Sequence, residues 1–341
     1  MKNLEQQGEA ARRAARVMMT ASTGQKNEAL AGMAQALLDG CADILAANRE
    51  DLEAARQGGM SEAMLDRLAL SEKRVQDMAE GIRQVQALPD PVGEIVEGSV
   101  RPNGLQVQKV RVPLGVIGMI YEARPNVTSD AAALCLKAGN VVILRGGKEA
   151  IRSNTAIVSA LSRGLEKAGL PPECVQLVGD TSRESATAMM RMSGVLDVLI
   201  PRGGAGLIKS VVENSRVPVI ETGVGNCHIF VDETADLKQA TDIVFNAKTS
   251  RPSVCNAAET LLVHEAIAQQ ALPQIAARLA EKNVELRGCP RSCEILSQAV
   301  PAVESDWQDE FLDYILAVRV VRDLDEALAH IARYSTTARP S

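Results

Sequence analysis

Hydrophobic positions recur every three to four residues through the first ninety or so residues of the chain, and then change their spacing. Leu30, Met33, Leu37 and Leu38, followed by Ile44, Leu45 and Leu52, fall on helical faces, and Thr23, Ser61 and Ser71 stand where N-caps belong. The pattern predicts a run of helices that stops at "LPDPVG", where two prolines remove backbone donors. From Gly93 to Val112 the period shortens to that of strands: "EIVEGSV" and "LQVQKVRV" flank Pro102-Asn103-Gly104, a hairpin turn signal. This charged hairpin reads either as an arm that pairs with another subunit or as a plain surface hairpin.

Beyond Pro113, short apolar runs alternate with helical segments. "GVIGMIY", "VVILRG", "VQLVG", "VLDVLIP" and "VPVIET" are separated by stretches such as "DAAALCLKAG" and "NTAIVSALSRGLEKAG". Continuous apolar strands between amphipathic helices predict a parallel sheet covered on both faces. That is the doubly wound α/β architecture of nucleotide-binding domains, whose ligand lies beyond the C-terminal ends of the strands. A second strand-and-helix series begins near "CHIFVD" and continues through "ETLLV" and "LAVRVVRDLDEALAHIA". The polar, glycine-rich "ETGVGN", Glu221 to Asn226, marks the boundary between them.

Composition narrows the choice of partner. The 341 residues, 46% hydrophobic and 23% charged, suffice for two core-forming domains. Aromatics make up only 2%, so the core must be aliphatic and platforms for stacking single-stranded bases are not expected. A net charge of -6 also argues against a nucleic-acid partner. No apolar run approaches the roughly 20 residues that span a bilayer, so no membrane partner is expected either. "EAARRAARVMMTA" is basic and amphipathic like an organelle transit peptide, but Glu5, Glu9 and its continuity with further helices favour an ordinary helix. Seven cysteines form no CxxC pair, and Cys289 and Cys293 lack a histidine at zinc-like spacing. The odd count and the lack of a secretory segment point to reduced thiols in the cytoplasm.

Four stretches carry candidate chemistry. In "VLIPRGGAGLIKSV", Arg202, Gly203, Gly204 and Gly206 form a glycine-rich passage from strand to helix; it would bring backbone amides to a phosphate, or serve as a turn alone. In "ILRGGKEA", Arg145 and Lys148 set two cations around a Gly146-Gly147 turn at a strand end, where an acidic residue would select NADH and cations favour NADPH; the alternative is two solvated charges. In "YEARPNVTSDAA", Asn126 stands ahead of a helix capped by Thr128 or Ser129, and is either an oxyanion donor or a helix cap. In "SRPSVCNAAETLLV", Cys255 follows Arg251, Pro252 and Ser253 and precedes Asn256. Cys135 and Cys41, by contrast, have the apolar neighbours of buried thiols. A nearby cation and oriented amides favour a reactive thiolate. His228, in a strand, reads as a core or capping histidine and not as a base for the thiol.

Taken together, "VPLGVIGMIYEARPNVTSDAAALCLKAGNVVILRGGKEA", "LIPRGGAGLIKSV", "VPVIETGVGNCHIFVDETAD" and "NAKTSRPSVCNAAETLLV" closely resemble the gamma-glutamyl phosphate reductases, or glutamate-5-semialdehyde dehydrogenases, of proline biosynthesis. The resemblance runs to about Tyr334. It implies the fold of the aldehyde dehydrogenase superfamily: a doubly wound NADPH-binding domain at 1–92 and 113–222, an oligomerisation hairpin at 93–112, and a second α/β catalytic domain at 223–335.

It further implies that Cys255 is the nucleophile and Asn126 an oxyanion donor, with the Cys255 N–H as a second. Arg145, Gly147, Lys148, Arg202, Gly203, Gly204 and Gly206 would face the NADPH phosphates, and Glu310 would hold the nicotinamide ribose. Glu221 stands where many relatives keep a water-activating glutamate, a role that would wastefully hydrolyse a thioester in a reductase. Arg124 and Arg251 are expected to bind the phosphate or α-carboxylate of L-glutamyl 5-phosphate. Because a free carboxylate is a poor electrophile, a separate kinase must install that phosphate, which links the chain functionally to glutamate 5-kinase. The family also implies a homo-oligomer.

The resemblance leads one to expect, after Tyr334, a His-Ser-containing segment, a further strand and a tail completing the arm. Residues 336–341, "TTARPS", instead read as a divergent end with the family's C-terminal segment missing. Two alternatives therefore stand beside the reductase: an inactive truncated fragment retaining at most nucleotide binding, or another acylating aldehyde dehydrogenase, such as one that uses a coenzyme A thioester.

Overall fold

The structure, a computed structural model, describes residues 3–221 and 225–335. The chain divides into two compact units, Met1–Thr222 and Gly223–Ser341. The divergent end at 336–341 and the centre of the expected boundary at 222–224 lie outside the described residues.

Five helices open the first unit: α1 (Leu4–Met18), α2 (Thr23–Asp39), α3 (Cys41–Gln57), α4 (Glu62–Leu68) and α5 (Glu72–Ala87). The start of α1 is held by a reciprocal pair, in which Asn3 accepts the Gln6 N–H and Gln6 accepts the Asn3 N–H. The cap of α2 is Ser22 and not Thr23. Ser22 accepts the Gln25 N–H at 3.2 Å, while the Thr23 hydroxyl is drawn away to Asp90 at 2.6 Å. Ser71 caps α5 as its position suggests, and Ser61 precedes α4 without a side-chain cap bond. The helical periodicity reflects real burial: Leu30, Met33 and Leu37 are wholly inaccessible to solvent, each worth about 2 kcal/mol of hydrophobic stabilisation.

The hairpin forms as the turn signal predicts. Strands β1 (Ile95–Val100) and β2 (Gln106–Val110) pair antiparallel. The turn is closed by the Arg101 N–H donating to Leu105 O and the Gly104 N–H donating to Arg101 O, both at 2.8 Å. Every residue of both strands is exposed.

The sheet of the first unit comprises β3 (Val116–Tyr121), β4 (Val141–Arg145), β5 (Val175–Leu177) and β6 (Val198–Arg202), all parallel in the order β5-β4-β3-β6. Helix α6 (Asn126–Lys137) follows β3, α7 (Ile151–Lys167) joins β4 to β5, α8 (Arg183–Met190) joins β5 to β6, and α9 (Ala205–Asn214) follows β6. The expected strand "VPVIET" is reduced to one bridge, Leu199 with Val219. Pro218 has no N–H to extend the ladder, although its carbonyl accepts from Leu199. Because β3 comes first in this sheet yet lies between β4 and β6, the winding reverses there. The crevice beyond β3 and β6 is the topological switch point where such sheets hold ligands.

The second unit has β7 (Cys227–Val231), α10 (Leu237–Thr249), β8 (Ala258–His264), α11 (Glu265–Ala280), β9 (Glu285–Gly288), α12 (Pro290–Ile295), β10 (Val300–Pro301), β11 (Ile315–Val321) and α13 (Leu324–Tyr334). Its strands are parallel in the order β10-β9-β11-β8-β7. β8 is buried along all but its last residue, Glu259 and Thr260 included, so its burial goes beyond the apolar stretch at 261–263 that the sequence shows. Among the described residues no single helix is long and apolar enough to cross a membrane; α2 and α3 have the composition only jointly and are bent by 65°.

Candidate active site

In the first unit, the C-terminal ends of β3 and β4 open onto a cleft of about 430 Å³. Arg145, Gly147 and Lys148 line it, so these three predicted cofactor residues do share one surface. Arg145 ends β4, the strand next to the switch strand, where an acidic residue would otherwise read a ribose hydroxyl. Its guanidinium donates to the carbonyls of Thr181 and Ser182 at 2.6 and 2.8 Å, which fixes it at the rim. Its Nε is buried without a hydrogen-bond partner, and burial lowers the guanidinium pKa. Lys148 is exposed.

The glycine turn meets the same cleft through a carboxylate. Glu122, immediately after β3, lines the cleft and accepts the Gly204 N–H at the start of α9, 3.2 Å away. Gly203 permits this approach, since a Cβ there would lie 2.7 Å from the Glu122 carboxyl carbon. A carboxylate therefore stands where the sequence suggests a phosphate. Arg202 is half-buried at the end of β6, and Gly206 lies within α9. Glu149 and Arg183 complete the charged lining, giving three cations against two carboxylates. The signal for Glu122 was its place at a strand's C-terminal end; its partner, 82 residues away, was not legible.

Asn126 is the first residue of α6, with Pro125 at the N-cap position, and not a residue ahead of the helix. Thr128 and Ser129 do not cap it. Both are buried inside the helix, Thr128 bonded to the Tyr121 hydroxyl at 2.8 Å and to Asn154 at 3.0 Å. Exposed Asn126 donates one amide N–H to Asp130 at 3.1 Å, leaving its second for another acceptor. Desolvation raises the Asp130 carboxyl pKa, and the Asn126 bond acts in the opposite direction. Arg124 is half-buried between β3 and α6, and Glu221 is exposed at the end of the segment beside β6.

In the second unit, Cys255 lies on the turn between α10 and β8. Pro252 and Ser253 anchor the turn by burial, while Cys255 and Asn256 face solvent. Of the seven cysteines, all among the described residues, Cys255 alone is exposed. Burial pushes Cys135 and Cys174 up to about 12. Cys41, expected to be buried, is half-buried because it opens α3. The Cys255 carbonyl packs on Gly225, where any Cβ would collide with it, and accepts from the Cys227 thiol at 3.4 Å. Burial raises the Cys227 pKa, and Cys255, Glu259 and Glu310 add to the rise, which places the four groups in one neighbourhood. Arg251 is exposed at the start of the turn.

His228 lies in β7, its Nδ1 on the Asn226 carbonyl at 2.9 Å and its Nε2 buried, as the core reading expects.

Two charges were not foreseen. Lys248, at the end of α10, and Glu259, in β8, are both 0% exposed and paired at 2.7 Å. Lys248 in "NAKTS" looks like a solvated residue, and only the pairing across the turn reveals it.

A doubly wound sheet with a charged cleft at the C-terminal ends of its strands, followed by a second parallel sheet bearing one exposed thiol, is an aldehyde dehydrogenase arrangement. The family model described as aldehyde dehydrogenase family matches residues 2–291. Gamma-glutamyl phosphate reductases from Clostridium botulinum (strain Eklund 17B / Type B) and Carboxydothermus hydrogenoformans are 57% and 59% identical over 98% and 96% of the chain, and the chain covers 81% and 79% of their lengths. The crystal structure of gamma-glutamyl phosphate reductase from Thermotoga maritima superposes with a TM-score of 0.90 at 48% identity, over 98% of this chain and 81% of that one. The chain belongs to the gamma-glutamyl phosphate reductases of the aldehyde dehydrogenase family. Propionaldehyde dehydrogenase from Rhodopseudomonas palustris, 18% identical with a TM-score of 0.70, shares the fold.

Proposed function

We propose that the chain reduces L-glutamyl 5-phosphate to L-glutamate 5-semialdehyde through a thioester on Cys255, with NADPH as reductant. The observation that carries the assignment of the nucleophile is the exposure of Cys255 alone, on a turn whose flanks are buried. The thiolate attacks the acyl carbon, the tetrahedral oxyanion is met by the Asn126 amide and the Cys255 N–H, and the carbon–oxygen bond to phosphate breaks with phosphate leaving. An acyl phosphate is an activated carboxyl, so no acid strong enough to expel hydroxide is needed. Arg124 and Arg251 supply cations for the phosphate and α-carboxylate.

Members of this family use a nicotinamide cofactor, and bound NADPH supplies the hydride. The first-unit cleft fits such a group: it lies beyond the C-terminal ends of β3 and β4, carries three cations, and holds a buried guanidinium Nε with no partner. Arg145 and Lys148 favour the phosphorylated ribose. Gly147 and the Arg202, Gly203, Gly204 and Gly206 turn would hold the remaining phosphates, and Glu310 the nicotinamide ribose. Glu221 serves no water-activating role in this reading. The coenzyme A alternative loses ground to relatives that bear the reductase name at 57% identity, and a protein of proline biosynthesis with reduced thiols works in the cytoplasm. The exposed hairpin is an assembly surface between copies of the chain.

The test is semialdehyde oxidation in the reverse direction. NADP+ reduction that depends on inorganic phosphate, and that coenzyme A does not support, is expected. Turnover with coenzyme A in place of phosphate, or turnover retained by Cys255→Ala, would overturn the reading.

A further inference from the structure

The buried Lys248–Glu259 pair is not accounted for by the chemistry above. Removing two charges from water costs several kcal/mol per ion, and replacing such pairs by apolar side chains is often neutral or stabilising, so fold stability alone does not explain it. Its placement does. Lys248 stands one residue before the end of α10, and Glu259 is the second residue of β8, so the pair clamps the two ends of the Cys255 turn. The second oxygen of Glu259 accepts the Leu312 N–H at 3.2 Å. Leu312 has φ 54°, the left-handed region that a branched side chain rarely adopts. Glu310 lies two residues before it.

We infer that Glu259 is a positioning residue: held by Lys248, it fixes the strained Leu312 backbone and so presents Glu310 to the cofactor from the same base that carries the thiol turn. This rests on the reading of Glu310 as a cofactor-holding residue. Chemistry at Cys255 needs only the near side of the clamp, whereas cofactor binding needs the bond to Leu312.

Two double variants separate the parts. Lys248→Met with Glu259→Gln leaves no buried charge and keeps an acceptor for Leu312; Lys248→Met with Glu259→Leu removes the acceptor. Both are expected to be alkylated stoichiometrically at Cys255 and to share the parent's KM for the acyl phosphate. The Leu variant is expected to raise KM for NADPH about tenfold over the Gln variant, with kcat changed less than threefold, the size of effect carried by one hydrogen bond. Equal NADPH KM values in the two variants would overturn the inference, as would a loss confined to acylation. Glu310→Gln is the control for the underlying reading. If it leaves NADPH KM unchanged, that reading fails and the clamp falls with it; if it raises KM while the double variants agree, the clamp alone fails. Should either double variant not fold, hydrogen exchange in the parent decides: the Leu312 amide is expected to be slow and slower still with NADPH, and exchange at the rate of an open loop in both states would refute the clamp.

Discussion

Glu122 accepts the backbone N–H of Gly204 across the switch point of the first sheet, 3.2 Å from oxygen to nitrogen. A carboxylate at the first turn of α9 satisfies one of the open helix amides and complements the positive end of the helix dipole. It also opposes any phosphate brought to the same turn. The glycine turn, which in sequence reads as either a phosphate cradle or a plain turn, carries an anion of its own in the fold.

Glu122→Gln keeps an acceptor and drops the charge. Melting is expected to shift little, since the neutral side chain retains the bond. KM for NADPH is expected to fall two- to threefold, roughly 0.5 kcal/mol by the usual conversion. Steady-state kinetics at low salt measure this, and an unchanged KM would show that the cofactor phosphates bind clear of the turn.

Thiol selectivity follows from burial. With Cys135 and Cys174 pushed up to about 12, brief iodoacetamide treatment near neutral pH is expected to label Cys255 first, and L-glutamyl 5-phosphate to protect it. Mass spectrometry of the labelled peptides gives the order. Cys255→Ser is expected to lower turnover by at least about 10³-fold, because an unactivated hydroxyl is a weak nucleophile.

What could be read before the fold was known depended on whether a signal was local. The parallel strands were legible because β3 and the first four residues of β4 are apolar runs without alternation, and the hairpin because Pro102-Asn103-Gly104 encodes its own turn. Cys255 stood out because Arg251, Ser253 and Asn256 put it in a largely polar segment. Ser22 caps α2 through its reciprocal bonds with Gln25, a local signal three residues long, while the Thr23 hydroxyl goes to Asp90, far along the chain. Glu122, Lys248 and Glu259 escape a local reading because each derives its role from a partner on another element, the Gly204 amide for Glu122 and a buried counter-charge for the other two.

Asn126 gives one amide proton to Asp130, and the proposed mechanism assigns the other to the oxyanion. Asn126→Ala removes both and is expected to lower the single-turnover acylation rate by about 10²-fold. Asp130→Ala merely frees the amide to rotate, so a loss of no more than about fivefold is expected, the entropy of one unfixed side chain. Equal losses in the two variants would assign Asn126 to the helix start and not to the reaction.

His330 links the second unit's stability to pH. Its ring lies 5.4 Å from those of His228 and Trp307 and 4.6 Å from that of Tyr334, measured between centroids. Burial first, then the charge of Arg319, lowers its pKa from 6.5 to about 4. The neutral ring is the form the fold accommodates, so between pH 6.5 and 4 the unfolded chain binds the proton and the folded chain does not. Stability from this residue is complete above about 6.5 and is lost as pH falls through that window, a change of order 3 kcal/mol. His228, also lowered by burial, adds in the same direction. In His330→Phe the aromatic contacts persist and the proton does not, so urea unfolding between pH 7 and 4.5 is expected to show a shallower decline than in the parent. The carboxylates titrate alike in both proteins and cancel in the difference, so parallel declines would mean that this imidazole is protonated in the folded state as readily as in the unfolded one.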